Sequence, residues 1–286
     1  MLKGKAAVVT GAARGIGREI AMLMASLGAR VVVNDYGGSE MGGGEAAAPA
    51  DEVVSEIKKA GGEAVASYDS VASMAGGQSI IKACVSAFGR VDIVVNNAGI
   101  LRDRMIFNMS EEEWDAVINT HLKGTFAVTR AAAPIMREQK WGRIINMTST
   151  SGLIGNVGQA NYAAAKLGIL GLTKVTALDM ARYNVTANCI SPFAWTRMIG
   201  TIPTETEAQK ARVEKVKKMS PAHIAPITGN SAPAVGNIPR NCATPPKSQS
   251  VIPSISMPSR LAWNAWPSSC RSSEVKKSRA AAIAIA

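Results

Sequence analysis

Short apolar runs alternate with longer amphipathic stretches over the first two thirds of the chain. The apolar runs fall at 5–10, 30–35, 63–68, 91–96, 142–147 and 185–190. Each is short and nearly continuous, as in a parallel strand buried on both faces. Between them, apolar positions recur with helical spacing at 16–27, 50–60, 74–88, 112–138 and 161–182. The helix near 112 carries a start signal, Ser110 followed by Glu111, Glu112 and Glu113. Strand–helix alternation six times over predicts an α/β fold, a doubly wound parallel sheet of Rossmann type in three layers. Such sheets bind ligands at the carboxyl ends of their strands.

Composition narrows the class. The chain has 286 residues, enough for a sizeable core, with 47% hydrophobic and 19% charged positions. No apolar run approaches the roughly 20 residues of a membrane span. Lys3 and Lys5 lead straight into the first apolar run, so a leader segment is not expected there. Cys84, Cys189, Cys242 and Cys270 are scattered, without metal-ligand spacing, which fits a reduced, cytoplasmic protein and no metal site. The formal charge is +11, but residues 221–286 hold 7 Lys and Arg against 1 acidic residue, so a short segment makes half of it. The excess is therefore not a nucleic-acid footprint, and no membrane partner is expected.

The first strand runs into Thr10-Gly11-Ala12-Ala13-Arg14-Gly15-Ile16-Gly17 and then a helix. Glycines allow the tight turn and the close backbone approach that a pyrophosphate needs, and the helix start offers free N–H groups. A glycine trio alone is weak; its place between strand and helix strengthens it. Asp35 ends the second strand and can accept from ribose hydroxyls while repelling a 2′-phosphate, which favours NAD over NADP. Arg14 is a basic group in the cradle that could serve a phosphate. A glycine-rich connection follows at 36–49, either a flexible surface loop or one that faces substrate or cofactor.

Tyr162 and Lys166 are four apart on one helical face. An ammonium near a phenol favours the phenolate, which would make Tyr162 a general acid–base near neutral pH. Such a pair alone is usually structural. Ser149 stands at the end of the fifth strand, facing the crevice of the cradle, either as a ligand for a carbonyl oxygen or as a turn cap.

Thr10-Gly11-x-x-x-Gly15-x-Gly17, Asn96-Asn97-Ala98-Gly99, Ser149 and Tyr162-x-x-x-Lys166 together resemble the short-chain dehydrogenase/reductase family over roughly 1–225. The resemblance implies an NAD(P)-dependent oxidoreductase that interconverts a hydroxyl and a carbonyl. It implies that Tyr162 transfers the proton, Ser149 orients the substrate oxygen, and Lys166 lowers the Tyr162 pKa and holds the nicotinamide ribose. Asp69, with Ser70 beside it, matches the acid that contacts adenine. Asn97, Ala98 and Gly99 would back the cofactor, and Pro192 and Thr196 would meet its nicotinamide side. Where the family often has an Asn, this chain has His121, in His121-Leu122-Lys123-Gly124; an imidazole can also hold a relay water. A satisfied helix residue without a catalytic part is the competing reading of His121.

Longer stretches at 31–38, 96–104, 121–132 and 155–162 resemble one subgroup, the (3R)-hydroxyacyl-CoA dehydrogenase part of peroxisomal multifunctional enzyme type 2 and its bacterial relatives. That implies a 3-hydroxyacyl-CoA or another bulky secondary alcohol as substrate, and a place in fatty acid metabolism. A 3-oxoacyl-carrier-protein reductase, a steroid dehydrogenase and a catalytically dead dinucleotide-binding protein are the alternatives. In relatives, helices equivalent to 112–138 and 161–182 form a dimer interface, which implies a homodimer.

The resemblance stops near residue 226. A family member should continue with a helix and a last parallel strand; here 227–286 is Pro/Ser-rich, basic and aperiodic. This divides the chain into an oxidoreductase domain, 1–226, and a tail, 227–286, that reads as a frame-shifted end, a disordered extension or a basic partner-binding segment. No strand is expected in the tail. The edge of the sixth strand is then left open, and the chain would be unstable or poorly soluble.

Overall fold

A computed structural model describes residues 1–37, 48–192, 194, 214, 220–228 and 282–285. They fall in one compact unit, Met1–Ala234 with Ala280–Ala286; a second, Val235–Arg279, lies outside the described residues.

Six parallel strands, β1 (Ala6–Thr10), β2 (Arg30–Asn34), β3 (Glu63–Ser67), β4 (Ile93–Asn96), β5 (Gly142–Met147) and β6 (Val185–Pro192), stand in the order β3-β2-β1-β4-β5-β6. The helices are α1 (Gly15–Ser26), α2 (Ala48–Lys59), α3 (Met74–Phe88), α4 (Glu111–Ile118), α5 (Gly124–Gln139), α6 (Thr150–Ile154) and α7 (Ala160–Met180). Alternation along each strand divides the core. Val9, Val31, Val33 and Ile145 pack with Ile20, Met24, Val53 and Ile57 of α1 and α2. Val8, Val32, Val94 and Ile144 pack with Ile80, Ile81, Val128 and Met136 of α3 and α5. The expected three layers follow from this period of two. The chain moves outward from β1 in both directions, so the carboxyl ends of β1 and β4 flank the crevice where such sheets take ligands.

Two departures bear on function. The helix expected over 112–138 is broken: α4 gives way to a π-helical turn, Asn119–Lys123, and then α5. The Gly124 N–H reaches back to the Asn119 carbonyl, so one extra residue enters the turn that carries His121. The helical start is as expected, a reciprocal cap in which Ser110 Oγ accepts from the Glu113 N–H and Glu113 Oε2 accepts from the Ser110 N–H.

The second departure corrects the reading of the tail. β7 (Ala282–Ile285) pairs antiparallel with β6, with Cys189 opposite Ile285 and Pro192 opposite Ala282. The parallel strand on which the family ends is missing among the described residues, as expected, and this antiparallel strand takes the edge instead. The apolar run Ala280–Ala286 carried this strand in the sequence, and with it the β6 edge is paired over 189–192 rather than open.

Candidate active site

The glycine cradle is built on β1 and α1. Gly11 and Gly15 hold positive φ, 62° and 55°. A Cβ at Gly11 would lie 2.8 Å from Ala98 Cα, and one at Gly17 would lie 2.1 Å from Gly11 O and 2.5 Å from Asn97 Nδ2. No side chain fits at either position, so strand end, helix start and the β4 loop meet through backbone alone. Asn97 Nδ2 donates to both Thr10 O and Gly11 O at 3.0 Å, and Thr10 Oγ1 accepts from the N–H groups of Asn97 and Ala98. Asn97 and Ala98 therefore tie β4 to the cradle. Arg14 stands at the N-cap of α1 without a side-chain capping bond, and the first turn, with Ile16 in it, has no acidic side chain. The dipole end is thus open to an anion.

Asp35 follows β2. Its Oδ2 accepts from the Ala13 N–H at 3.0 Å and its Oδ1 from the Gly37 N–H at 2.9 Å. The carboxylate is fixed against the cradle, with lone pairs left for further donors. Asp69 is exposed after β3, its carboxylate accepting from Ser67 Oγ and its carbonyl from Asn34 Nδ2. Ser70 Oγ accepts from the Ala72 N–H. These groups fit an adenosine and pyrophosphate, with glycine backbone where the pyrophosphate would lie and a carboxylate where the ribose hydroxyls would. Pro192 ends β6. Thr196 lies outside the described residues.

Ser149, Tyr162, Lys166 and His121 come together at the end of β5. Ser149 caps α6, accepting from the Ser151 N–H, and also hydrogen-bonds Tyr162. The turn-cap reading of Ser149 is thus met. The Tyr162 ring stands 5.2 Å from the His121 ring, at 89°. Lys166 is buried, donates from Nζ to Met147 O at 2.7 Å, and lies 5.5 Å from the Tyr162 ring centre.

The electrostatics differ from the expectation that Lys166 lowers the Tyr162 pKa. Burial pushes the Tyr162 phenol up to about 12; the Ser149 hydrogen bond works against this and the Asp103 charge adds to it. Burial likewise pushes Lys166 down to about 8. Both ionised forms lose water here, and the ammonium is spent on a backbone carbonyl. His121 is pushed down to about 3, first by burial and then by the Lys166 charge, so it is neutral at physiological pH. Its Nε2 lies 3.0 Å from Ile100 N and 2.8 Å from Ile100 O, while Nδ1 is buried without a partner. A Cβ at Gly99 would lie 2.2 Å from His121 Cε1. Gly99 therefore seats the imidazole.

The sequence reading missed three residues beside Tyr162. Gln159 Nε2 donates to Asp103 Oδ2 at 2.8 Å, and burial raises the Asp103 pKa. Buried Asn161 donates to Arg102 O and Glu113 O and accepts from the Tyr162 N–H. With the Arg104 N–H on Gly158 O, these bonds join 100–104 to 158–162. The signal was available: both segments lie in stretches already singled out, 96–104 and 155–162, but nothing in a linear reading says that they touch. Among the described residues no cluster of His, Cys, Asp or Glu could hold a metal, and no helix is long and apolar enough to cross a membrane.

Comparison with known proteins identifies the family. The family profile described as short chain dehydrogenase matches residues 5–207. A short-chain type dehydrogenase/reductase of Mycobacterium tuberculosis is 52% identical over 221 residues, covering 77% of this chain and 74% of that protein. Peroxisomal multifunctional enzyme type 2 of Drosophila melanogaster is 54% identical over 201 residues, 70% of this chain but only 33% of that protein. A hydroxyacyl-CoA dehydrogenase of Mycobacterium tuberculosis is 44% identical over 234 residues, covering 79% of this chain and 72% of that protein. The crystal structure of a short chain dehydrogenase from Mycobacterium avium superposes with a TM-score of 0.68 at 45% identity, covering 82% of this chain and 79% of that one.

Proposed function

The chain belongs to the short-chain dehydrogenase/reductase family, an oxidoreductase family that uses NAD(P), and on that premise we propose that it is an NAD-dependent (3R)-3-hydroxyacyl-CoA dehydrogenase. The observation that carries the reading is the meeting of Ser149, Tyr162, Lys166 and His121 beside a glycine cradle too tight for any side chain. NAD, when bound, would supply the hydride acceptor for oxidation of the hydroxyl. Ser149 holds the substrate oxygen, and Tyr162 exchanges the proton with it. With its pKa near 12 in the free chain, Tyr162 is a proton donor at rest. To act as a base it needs the Lys166 charge beside it. Asp35 selects NAD by accepting from ribose hydroxyls.

The acyl-CoA class is supported by the name of one relative and by the surface beside the site. Leu153, Ile154 and Val157 follow Ser149, and Met105, Ile106 and Phe107 follow Arg104; all six are exposed. The Arg104–Gly158 bond holds the two segments together. Such an apolar wall suits an acyl chain.

We further propose a homodimer through α5 and α7, where Phe126, Leu167, Val175 and Leu178 are exposed and Gly171 has open space in front of it. The free, buried thiols of Cys84 and Cys189 suit a reducing, cytoplasmic setting. The oxidoreductase domain would run over 1–226 with β7 added to its sheet, the rest of 227–286 being a tail.

The test is absorbance at the reduced-nicotinamide band, with NAD or NADP and with 3-hydroxybutyryl-CoA or 3-hydroxydecanoyl-CoA. NAD-linked turnover is expected, with a loss of at least about 100-fold in Tyr162→Phe, the scale of general acid–base catalysis. Binding of NAD without turnover of either thioester would reject the substrate. Turnover that survives in Tyr162→Phe would reject the assignment of the proton carrier.

A further inference from the structure

Four consecutive residues at the end of β5 each bond to α7. Asn146 Nδ2 donates to Thr173 Oγ1 at 2.8 Å. Met147 O accepts from Lys166 Nζ at 2.7 Å. Thr148 Oγ1 donates to Lys166 O at 2.7 Å. Ser149 bonds the Tyr162 hydroxyl. The helix end of the ladder has helical spacing: Tyr162, Lys166, Ile169 and Thr173 share one face, and Thr173 Oγ1 donates to Ile169 O at 2.7 Å. Behind Asn146, the side chain of Asn96 donates to Asn146 Oδ1 at 2.8 Å and to Thr129 Oγ1 at 3.1 Å, so the network continues into β4 and α5. Asn146, Thr148 and Thr173 are all buried.

Only two rungs of this ladder belong to the reaction as read above. The other two touch neither the cradle nor Tyr162. Thr148 stands between Met147 and Ser149 and grips the backbone of Lys166 itself, while Met147 holds its side chain. Gly152, at which a Cβ would lie 2.8 Å from Leu167 N and 3.1 Å from Lys166 Cβ, closes α6 against the same turn. Lys166 is therefore held at its carbonyl, its Nζ and its flank by 147–152.

We propose that Thr148, backed by the Asn146–Thr173 bond, is a positioning residue that sets the register of α7 on β5 and so fixes Lys166 in its dry site beside Tyr162. The proposal takes Tyr162 and Lys166 as the acid–base pair and extends that reading. The Lys166 carbonyl also lies inside α7, where the helix supplies a backbone donor, so losing the Thr148 hydroxyl leaves it satisfied. Removal of that hydroxyl should loosen Lys166 without unfolding the domain. Water then reaches Nζ, and the ammonium persists to higher pH. The groups that face Lys166 are Tyr162 on its own helix, His121 on the π turn and Cys189 on β6, with Asp103 acting on Tyr162 from the loop after β4.

The experiment is a titration of lysine ¹⁵Nζ resonances in the full chain, which needs neither substrate nor turnover. One lysine should titrate near pH 8, and its signal should vanish in Lys166→Met. In Thr148→Val that midpoint should rise by a unit or more, and Thr148→Ser should restore it. Thr176→Val, which removes a bond internal to α7, should leave it in place. If Thr148→Val does not fold, Thr173→Val tests the same ladder from the helix side. An unmoved midpoint in the folded variant overturns the proposal. Kinetics are read separately: Thr148→Val should shift the pH profile of kcat, with KM for NAD little changed. A wild type that shows the titration but no turnover would reject the functional reading and leave the ladder standing.

Discussion

The imidazole of His121 stands edge-on to the Tyr162 ring, and Gly99 lies directly beneath it, close enough that one added carbon would fall within 2.2 Å of His121 Cε1. The π-helical turn at Asn119–Lys123 delivers the ring to this place. An extra residue in a helix costs hydrogen-bond geometry and is common at functional sites. Here it brings a neutral, buried ring with one unpartnered nitrogen against Tyr162.

Burial of that ring has a pH signature. His121 titrates near 6.5 in the unfolded chain and near 3 when folded. A folded pKa below the unfolded one means that the unfolded state binds the extra proton between these values. Stability is then lost as pH falls from 6.5 toward 3, by about 1.4 kcal/mol per unit from this group. His121→Asn, which cannot charge, should lack this loss. Chemical denaturation of both proteins at pH 7.5 and pH 4.5 checks it: the variant should gain roughly 2–3 kcal/mol on the wild type over that span. Parallel stability curves would mean that the ring charges freely in the folded state.

Gly99→Ala should be costly for a reason that a second substitution can isolate. The added Cβ meets the ring of His121, which is buried and packed edge-on with Tyr162, and not the far end of a flexible side chain. Overpacking of this kind costs about 1–3 kcal/mol. In a His121→Ala background the clash partner is gone, and Gly99→Ala should become nearly neutral. The coupling from a double-mutant cycle should therefore be at least about 1 kcal/mol. Additive effects would show that Gly99 is required for its backbone and not for the imidazole.

Much of this architecture was legible because its signals are local. Six short buried strands separated by helical repeats fix the layers, and a glycine-rich turn between strand and helix marks the crevice. Ser110 and Glu113 announced a helix start that the structure builds as a reciprocal cap. Tyr162 and Lys166 could be paired because helical spacing puts them on one face. What stayed hidden is non-local. Periodicity cannot reveal that Gln159 meets Asp103, or that Asn161 ties 102 to 113, since those contacts join segments more than 45 residues apart. The direction of the Tyr162 shift also escaped, because spacing gives the nearness of Lys166 but not the desolvation that outweighs it. Ala282–Ile285 was passed over because the composition around it masks a short apolar run.

Cofactor choice is the last point that a substitution can decide. Asp35 is held by the Ala13 and Gly37 N–H groups, so its charge cannot swing away from the ribose that it would bind. A 2′-phosphate brought to that place would meet a fixed carboxylate at close range, with like charges repelling. Asp35→Ser removes the charge and keeps a small hydroxyl that can still bond a cradle N–H. Arg14, at the N-cap without a capping bond, is then the nearest basic group of the cradle able to turn toward a phosphate. NAD should bind about 10- to 100-fold more weakly, the loss expected for charge-assisted bonds of about 1.5–3 kcal/mol. NADP should bind more tightly than to the wild type. Fluorescence titration with NADH and NADPH measures both without any substrate. A wild type that already prefers NADPH, or an Asp35→Ser variant that weakens both cofactors equally, would mean that Asp35 serves the fold of the loop rather than the choice of dinucleotide.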